Sequence, residues 1–573
     1  DLGCRRRRRR VEEQVAGDLV GQAGRDAEDF QGVRAGTGRR KGGGDLGTGR
    51  DEVREGPRGG VGRSSSETVR LRLRRRQQDN HPDTLGALPR VGAMPRQIVT
   101  ARHVSAALKA RYAAIREELG VPGEFPPEVL AETERVLREP LLTVDRDETA
   151  VPFCTIDPPG SMDLDQALHI ERNGNGYRVR YAIAHLASFI EPGGAIDTEA
   201  RRRGQTIYSP DERVPLHPPA LSEGAASLLP GQERPAYVWD MQVDRTGEGT
   251  SVQVYAARVR SVDRFDYEQV QELIDGGTGD QRLVLLKEVG LLRLAREAVR
   301  GGANLPIPDQ EVHQDEDGSW TVHFRPPLAC EDWNAQISLM TGMAAAELMI
   351  GAKVGLLRTM PPAEQKAIDR FRHQAKALGV PWGGKQSYGE FLRSLDRTEP
   401  KQLALIYEAT GLFRGAGYAA FDGAVPEHPE HAAVASTYAH TTAPLRRLGD
   451  RFVLAACEAI SAQHEVPGWA RETLPTLPDI LKKSDQLANA VARASIDATE
   501  AAILADRVGE KFPAVVVEAA VDGGERRRSR GAVVQVLEPA VVAELEGDAD
   551  LGAELEAELV RADIGTGKVL FRR

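Results

Sequence analysis

The chain has 573 residues, 41% apolar and 28% charged, with a net charge of −10, which is long enough for two to four domains with a sizeable buried core. Cys4, Cys154, Cys330 and Cys457 lie far apart with no C-x-x-C pair; this argues against a disulfide scaffold or a structural zinc site and fits a reducing, cytoplasmic setting. Residues 1–93 hold 21 Lys and Arg against 14 Asp and Glu, a net of +7, so the remainder carries −17. An acidic body matches poorly with a protein that coats duplex DNA.

Residues 1–93 contain Arg5–Arg10, Gly42–Gly44 and Arg74–Arg76 without a helical or strand period, a composition expected to stay disordered. No apolar segment follows the first arginines, so no secretory signal is expected. All seven methionines lie at Met94 or later. Initiation at or near Met94, with a mis-assigned stretch upstream, is one expectation, and a basic RNA-tethering tail is the other.

Residues 94–150 read as a small helical module. Thr100 is placed to cap a helix running to about Leu119, and Pro126-Pro127 opens a second helix to about Arg138. A helix-turn-helix reader and a helical pair packed on the main domain both fit. From Val151 the period changes to that of strands: Ala167–Glu171 and Tyr177–Ala184 flank Asn173-Gly174-Asn175-Gly176, a hairpin signal. Tyr237–Val243 and Val252–Val262 form a further pair. Helices are then expected over Arg282–Val299, Trp333–Leu357, Pro362–Leu378, Pro444–Ser461 and about Pro478–Val508. The apolar stretch Leu339–Leu357 carries Glu347 and Lys353 and reads as a buried helix, not a membrane span. After Pro513, five short strands (Ala514–Val521, Gly531–Leu537, Ala540–Glu544, Leu555–Val560 and Lys568–Phe571) suggest an OB-type barrel. The fold class is α+β, divided into residues 1–93, the helical module 94–150, a catalytic domain 151–510 and a barrel 511–573.

The chemistry concentrates at Asp157-Pro158-Pro159-Gly160-Ser161-Met162-Asp163-Leu164-Asp165-Gln166. Asp157 ends an apolar strand, a Pro-Pro-Gly turn follows, and Asp163 and Asp165 stand two apart, on one side of an extended chain. Three carboxylates converging across a turn suit Mg²⁺, or Mn²⁺ in its place, because hard cations take oxygen ligands and share them with phosphate. Turn-capping aspartates at a strand end are the plainer explanation of the same residues. No Walker loop, G-x-G-x-x-G or H-E-x-x-H motif occurs, so no nucleotide cofactor or zinc centre is implied.

Further segments follow in order: Tyr181-Ala182-Ile183-Ala184-His185, then Asp197 to Tyr208 with the run Arg201-Arg202-Arg203, then Val214-Pro215-Leu216, and finally Tyr438-Ala439-His440-Thr441-Thr442-Ala443-Pro444-Leu445-Arg446-Arg447. Together with the aspartate cluster these resemble the catalytic (RNB) domain of the ribonuclease II/R family over about residues 151–510. The resemblance implies a processive 3′→5′ exoribonuclease that hydrolyses single-stranded RNA to nucleoside 5′-monophosphates. Asp157, Asp163, Asp165 and Gln166 are then the expected metal ligands, and Asp165 and Arg446 the expected catalytic pair. Arg446 is expected in the first turn of a helix capped by Thr442, where it would meet the scissile phosphate. Tyr208 and Tyr267 are expected to stack terminal bases, with Arg203, Arg447 and Glu500 as further RNA contacts. The expected partner is single-stranded RNA, with no membrane and a monomeric chain. Two positions depart from the family pattern: Gln166 stands for an aspartate and loses a formal charge, and His185 stands for another. The resemblance also implies tandem cold-shock domains ahead of the catalytic domain, where residues 94–150 read as helical. The rival function is a catalytically weakened RNA-binding protein, or a phosphodiesterase acting on short oligonucleotides.

Overall fold

A computed structural model describes residues 105–303, 309–314, 320–325, 327–396, 398–519, 531–536 and 538–573; the expectations for residues 1–93 and the Thr100 cap lie outside the described residues.

Two helices come first, α1 (Ser105–Glu118) and α2 (Pro127–Arg138). Pro127 opens the second at a position that needs no backbone donor. Each buries its apolar stripe against a different part of the main domain, as expected of helices packed on it. Leu108, Tyr112 and Ile115 cluster with Trp320, Ala498 and Ala502, and Tyr112 Oη shares a 2.6 Å hydrogen bond with Thr499. Val129 and Val136 pack with Phe189, Ile196 and Leu445.

The main domain is built on a closed five-stranded barrel. Its strands are β1 (Phe153–Ile156), β2 (Gln166–Asn173) and β3 (Gly176–Ala184) and, after α3 (Ala195–Arg203) and the short pair β4 (Ile207–Tyr208) and β5 (Arg213–Val214), β6 (Glu233–Val243) and β7 (Gly249–Phe265). Their order is β1-β2-β3-β6-β7, with β1 closing the barrel in parallel with β7. The expected hairpin is present: Asn173 pairs with Gly176 across a two-residue turn, and Gly174 takes the positive φ that such turns favour. Alternation divides the barrel faces. Leu168, Ile170, Val179, Tyr181, Ile183, Trp239 and Met241 join the largest core, whereas Ala167, Ala182, Ala236, Val238, Ala257 and Val259 form a smaller cluster with Phe153 and Leu164.

Helices α4 (Tyr267–Asp275) and α5 (Gln281–Arg300), the hairpin β8 (Asp309–Gln314) and β9 (Trp320–Arg325), and α6 (Ala329–Ala352) follow. By length and composition α6 is apolar enough to cross a membrane, yet Trp333, Ile337, Met340, Ala345, Ala346 and Met349 bury it in the largest core. It stops five residues before the expected Leu357. Lys353 adopts the left-handed conformation, its N–H donating back to Ile350 O and Met349 O, and the chain leaves as β10 (Val354–Thr359), paired antiparallel with β11 (Gly417–Asp422). Strand pairing outweighs helix propensity there. Helices α7 (Leu448–Ser461) and α8 (Leu477–Leu504) complete the domain.

A second closed barrel ends the chain: β12 (Lys511–Glu518), β13 (Ala532–Val536), β14 (Val541–Glu546), β15 (Glu554–Asp563) and β16 (Lys568–Arg572), in the order β12-β13-β14-β16-β15. Its core is a separate cluster centred on Phe512, Val516, Val534, Leu559 and Phe571.

Candidate active site

The aspartate cluster sits where β1 leaves the barrel and β2 enters it. Asp157 N donates to Phe265 O at 3.2 Å and extends the parallel ladder by one residue. Pro158 and Pro159 have no N–H to continue the ladder, and Ser161 N closes the turn on Pro158 O at 3.2 Å. Ser227 then clamps the returning segment, its Oγ accepting from Leu164 N at 3.0 Å and donating to Met162 O at 2.6 Å. With Leu164 buried, alternation turns Asp163 and Asp165 to the other side.

The three carboxylates differ in how their charge is met. Asp165 is 3% exposed; Oδ1 accepts from Leu445 N at 2.7 Å and Oδ2 lies 3.4 Å from Arg446 Nε. Burial pushes its carboxyl up to about 8, against the lowering effects of Arg446 and the Leu445 bond. Burial likewise raises Asp157 to about 7, opposed by Arg446 and Arg264 and reinforced by Asp163, and Asp157 Oδ2 is buried without any hydrogen-bond partner. Asp163 is paired with Arg213 at 2.5 Å, whose other nitrogen reaches Glu223. Among the described residues no three His, Cys, Asp or Glu side chains form a ready-made metal cage. An orphaned carboxylate oxygen beside a second under-compensated carboxylate nevertheless fits a divalent cation that keeps waters and shares phosphate oxygens. Asp157 and Asp165 are the residues that would hold it, joined by Asp163 if Arg213 lets go.

Gln166 begins β2, and its part-buried amide oxygen accepts from Tyr181 Oη and, at 3.4 Å, from Ser338 Oγ. Tyr181 Oη is itself close enough to Asp157 and Asp165 to feel their charges, so the amide stays beside the cluster with its oxygen already engaged and without a formal charge.

Arg446 is exposed over the cluster, with 45% of its side chain accessible, but it does not stand in a helix. Residues 443–446 form a turn, Arg447 precedes α7, and Thr442 caps nothing. The backbone here pairs with the segment before β4: Thr206 N donates to Arg446 O at 3.0 Å and Leu448 N to Gly204 O at 3.1 Å. That pairing delays the helix and holds Arg446 toward Asp165. Leu448 and Phe452 enter the main core, while Leu445 joins the α2 cluster.

Tyr208, on β4, is half exposed and close enough to Asp163, Arg446 and Asp165 to feel their charges. Tyr267 opens α4, its Oη accepting from Asn334 Nδ2 at 3.3 Å, near Asp157 and Arg446. Two expected RNA contacts, Arg203 and Glu500, are turned into the fold, and a third, Arg447, is partly engaged there. Arg203 is 3% exposed; it donates to Glu199 at 2.7 Å and to the carbonyls of Pro215 and Gly123, and it lies on the Phe125 ring, so it fastens α3 to the N-terminal segment. Glu500 is equally buried and accepts from Val542 N at 3.0 Å, joining α8 to the C-terminal barrel. Arg447 commits Nε and Nη2 to Asp450, a carboxylate that also accepts Ala443 N at 2.8 Å; it braces the turn that presents Arg446. The sequence reading missed Arg213 and Arg264. Arg213 directly precedes the Val214-Pro215-Leu216 segment, a signal that was available, whereas Arg264 is one of several arginines on β7 and nothing in the sequence singles it out.

Against known families, the RNB domain matches residues 145–461 and the RNase II-type exonuclease C-terminal S1 domain matches residues 510–573. The chain is 26% identical over 423 residues to ribonuclease R of Thermotoga maritima, covering 70% of this chain and 59% of that protein. With ribonuclease R of Escherichia coli it shares 27% identity over 395 residues, 64% of this chain and 48% of that protein. The chain thus spans about half to three-fifths of these relatives. Its fold is that of the apo form of Mycoplasma genitalium RNase R, with a TM-score of 0.71 at 19% identity, over 81% of this chain and 78% of that one. Yeast Ssd1, described as a pseudonuclease, shares it with a TM-score of 0.58 at 16% identity, over 80% of this chain and 57% of that one.

Proposed function

The chain belongs to the RNB family, and from that premise we propose that it is a Mg²⁺-dependent exoribonuclease that degrades single-stranded RNA processively from its 3′ end to nucleoside 5′-monophosphates. The observation that carries this reading is the buried Asp157 oxygen without a partner, within reach of the charges of Asp163 and of the exposed Arg446 guanidinium, which itself lies 3.4 Å from Asp165. A divalent cation, when bound, supplies activation of water and charge neutralisation at the leaving oxygen. Asp157 and Asp165 would hold that cation. The Leu445 N–H fixes one oxygen of Asp165, which leaves the other, 3.4 Å from Arg446 Nε, to be shared between that guanidinium and the cation. Arg446 stabilises charge developing on the phosphoryl oxygens, and Tyr208 and Tyr267 stack the terminal bases. The buried, free Cys154, Cys330 and Cys457 suit an enzyme of a reducing compartment such as the cytoplasm.

A second reading, a catalytically weakened RNA binder, is favoured by Gln166, which removes a carboxylate from the expected set. One time course separates the readings. The full chain is incubated with 5′-labelled poly(A) and Mg²⁺ and the products are resolved by length. Short labelled remnants with released AMP are expected. Internal-length fragments would indicate an endonuclease or oligonucleotide phosphodiesterase, and an intact, gel-shifted band would leave only the binder.

A further inference from the structure

Tyr208 is carried by a hairpin with two residues in each strand, Ile207 pairing with Val214 and Tyr208 with Arg213, and a two-stranded hairpin of that length is not stable by itself. At its root Thr206 N donates to Arg446 O at 3.0 Å, and Leu216 N to Thr206 Oγ1 at 3.0 Å. On one face Ile207 and Val214 pack with Val491 of α8 and with Val121, which follows α1. Alternation puts Tyr208 and Arg213 on the other face, where Arg213 pairs with Asp163. The tip, Ser209 to Glu212, is held by Arg116 of α1. Its guanidinium lies forked on Asp211, Nη1 donating to Oδ1 at 2.6 Å and Nη2 to Oδ2 at 3.1 Å. Nη1 also reaches Ser209 Oγ at 3.2 Å, and Nη2 lies 2.9 Å from Glu212. Both members of the fork are largely buried, 14% and 13% accessible, a setting in which a bidentate pair is stronger and more directional than an exposed one. Tyr112 and Thr499 fix α1 in turn to α8, to which Ser209 Oγ adds a 3.4 Å contact at Ser495.

We propose that Arg116 is a positioning residue of the active site: by clamping the hairpin tip through Asp211, it sets where the Tyr208 ring meets the terminal base. The role rests on the stacking assigned to Tyr208 above. Arg116 lies outside the segment that the RNB domain matches, residues 145–461, so α1 is a working part of the site as well as a packed flank. The Tyr208 ring is half exposed, so the backbone that carries it decides where it points. Ser209, the next residue, is among those that Arg116 touches. A ring gives its full stacking contact only when it is held parallel to the base. A hairpin loose at its tip spreads the ring over many orientations, and binding must first narrow them.

Fluorescence anisotropy of a 5′-labelled oligo(A) with the full chain in EDTA reads the clamp without cleavage. Tyr208→Ala is expected to weaken binding by about tenfold, the size of one stacked base. Arg116→Ala is expected to weaken it by about fivefold with Tyr208 present, and by no more than about twofold when Tyr208 is already replaced, because the two act through one contact. Arg116→Lys, which keeps the charge and loses the fork, should fall between Arg116→Ala and wild type. If Arg116→Ala does not fold, Asp211→Asn, which leaves α1 intact, carries the same cycle with the same expected factors. Wild-type affinity in Arg116→Ala, or losses that multiply in the double variant, overturns the assignment and leaves Arg116 a stabiliser of the fold. Tyr208→Ala with wild-type affinity removes the stacking and the clamp together. Coupled losses of affinity in a chain that cuts no RNA in Mg²⁺ fail the hydrolytic reading and leave the clamp standing. Cleavage of RNA with uncoupled losses fails the clamp alone.

Discussion

The molecule contains two closed five-stranded barrels, and they differ in what their polar groups lack. At the mouth of the first, Asp157 and Asp165 are buried carboxylates whose charges are incompletely met. Where α8 meets the second, Glu500 Oε1 is satisfied by Val542 N; inside it the buried side-chain oxygen left without a partner among the described residues is the neutral amide oxygen of Gln535, and Phe512 and Phe571 pack edge to face inside the core instead of offering rings to a base. Among the described residues the second barrel shows no comparable debt of charge. Barrel topology is therefore silent about chemistry, while an unmet buried charge is specific, because it is costly unless something outside the chain completes it.

The sharpest way to break this contrast is Asp165→Asn. The substitution keeps a group able to accept from Leu445 N but removes the charge, so the rate of RNA hydrolysis is expected to fall by about 10³-fold or more. RNA affinity, measured by fluorescence anisotropy in EDTA, should stay within about threefold, because RNA binding draws chiefly on phosphate and stacking contacts elsewhere. Activity equal to wild type would remove Asp165 from the chemistry altogether. Arg446→Ala follows in size. As a group that acts on developing charge, its loss should lower kcat by about 10²–10³-fold while KM moves little. A rise in KM with kcat intact would make Arg446 a ground-state clamp.

The pH dependence comes next. Asp157 and Asp165 are raised in the folded chain to about 7 and about 8, above the usual carboxylate range of the unfolded chain. Between those limits the folded state holds more protons than the unfolded state, so stability without metal falls as pH rises from about 4 to 8. A cation that displaces those protons reverses the trend, so apparent Mg²⁺ affinity should rise with pH, most steeply from about pH 6 to 8. Thermal melts in EDTA and in Mg²⁺ across that range test both signs. A Tm that Mg²⁺ does not move at any pH would show that the barrel mouth holds no ion.

How far the sequence was legible follows the same division. The hairpin at Asn173–Gly176, the two N-terminal helices and the C-terminal barrel were readable because period and turn chemistry are local. The aspartates were readable because a Pro-Pro-Gly turn after an apolar strand restricts where the following side chains go. What misled was non-local. Arg203 and Glu500 belong to segments that resemble an RNA-contacting family, yet Glu199 and the Gly123 carbonyl on one side, and Val542 on the other, take up their polar atoms. The helix expected from Pro444 starts at Leu448 because the intervening backbone pairs with Gly204 and Thr206, a contact that no spacing rule anticipates. Gln166 was expected at the metal because it stands where the resemblance implies an aspartate, and no spacing rule shows that its amide oxygen is already engaged by Tyr181 and Ser338.

The smallest effect on catalysis is expected from Glu500→Ala, and it probes the junction between α8 and the second barrel. The substitution removes the acceptor for Val542 N between α8 and β14, leaving a partly buried donor unpaired at a cost of about 1–3 kcal/mol. The melting temperature should fall, and hydrogen exchange should accelerate at Val542 and along β14. Cleavage of a short oligonucleotide, which reaches only the first barrel's mouth, should remain within about twofold of wild type, as expected for a residue remote from the reacting atoms. If the same change abolished short-oligonucleotide cleavage while leaving stability untouched, Glu500 would be a working group of the active site, and the two barrels would share the chemistry that their unequal charge balance assigns to one.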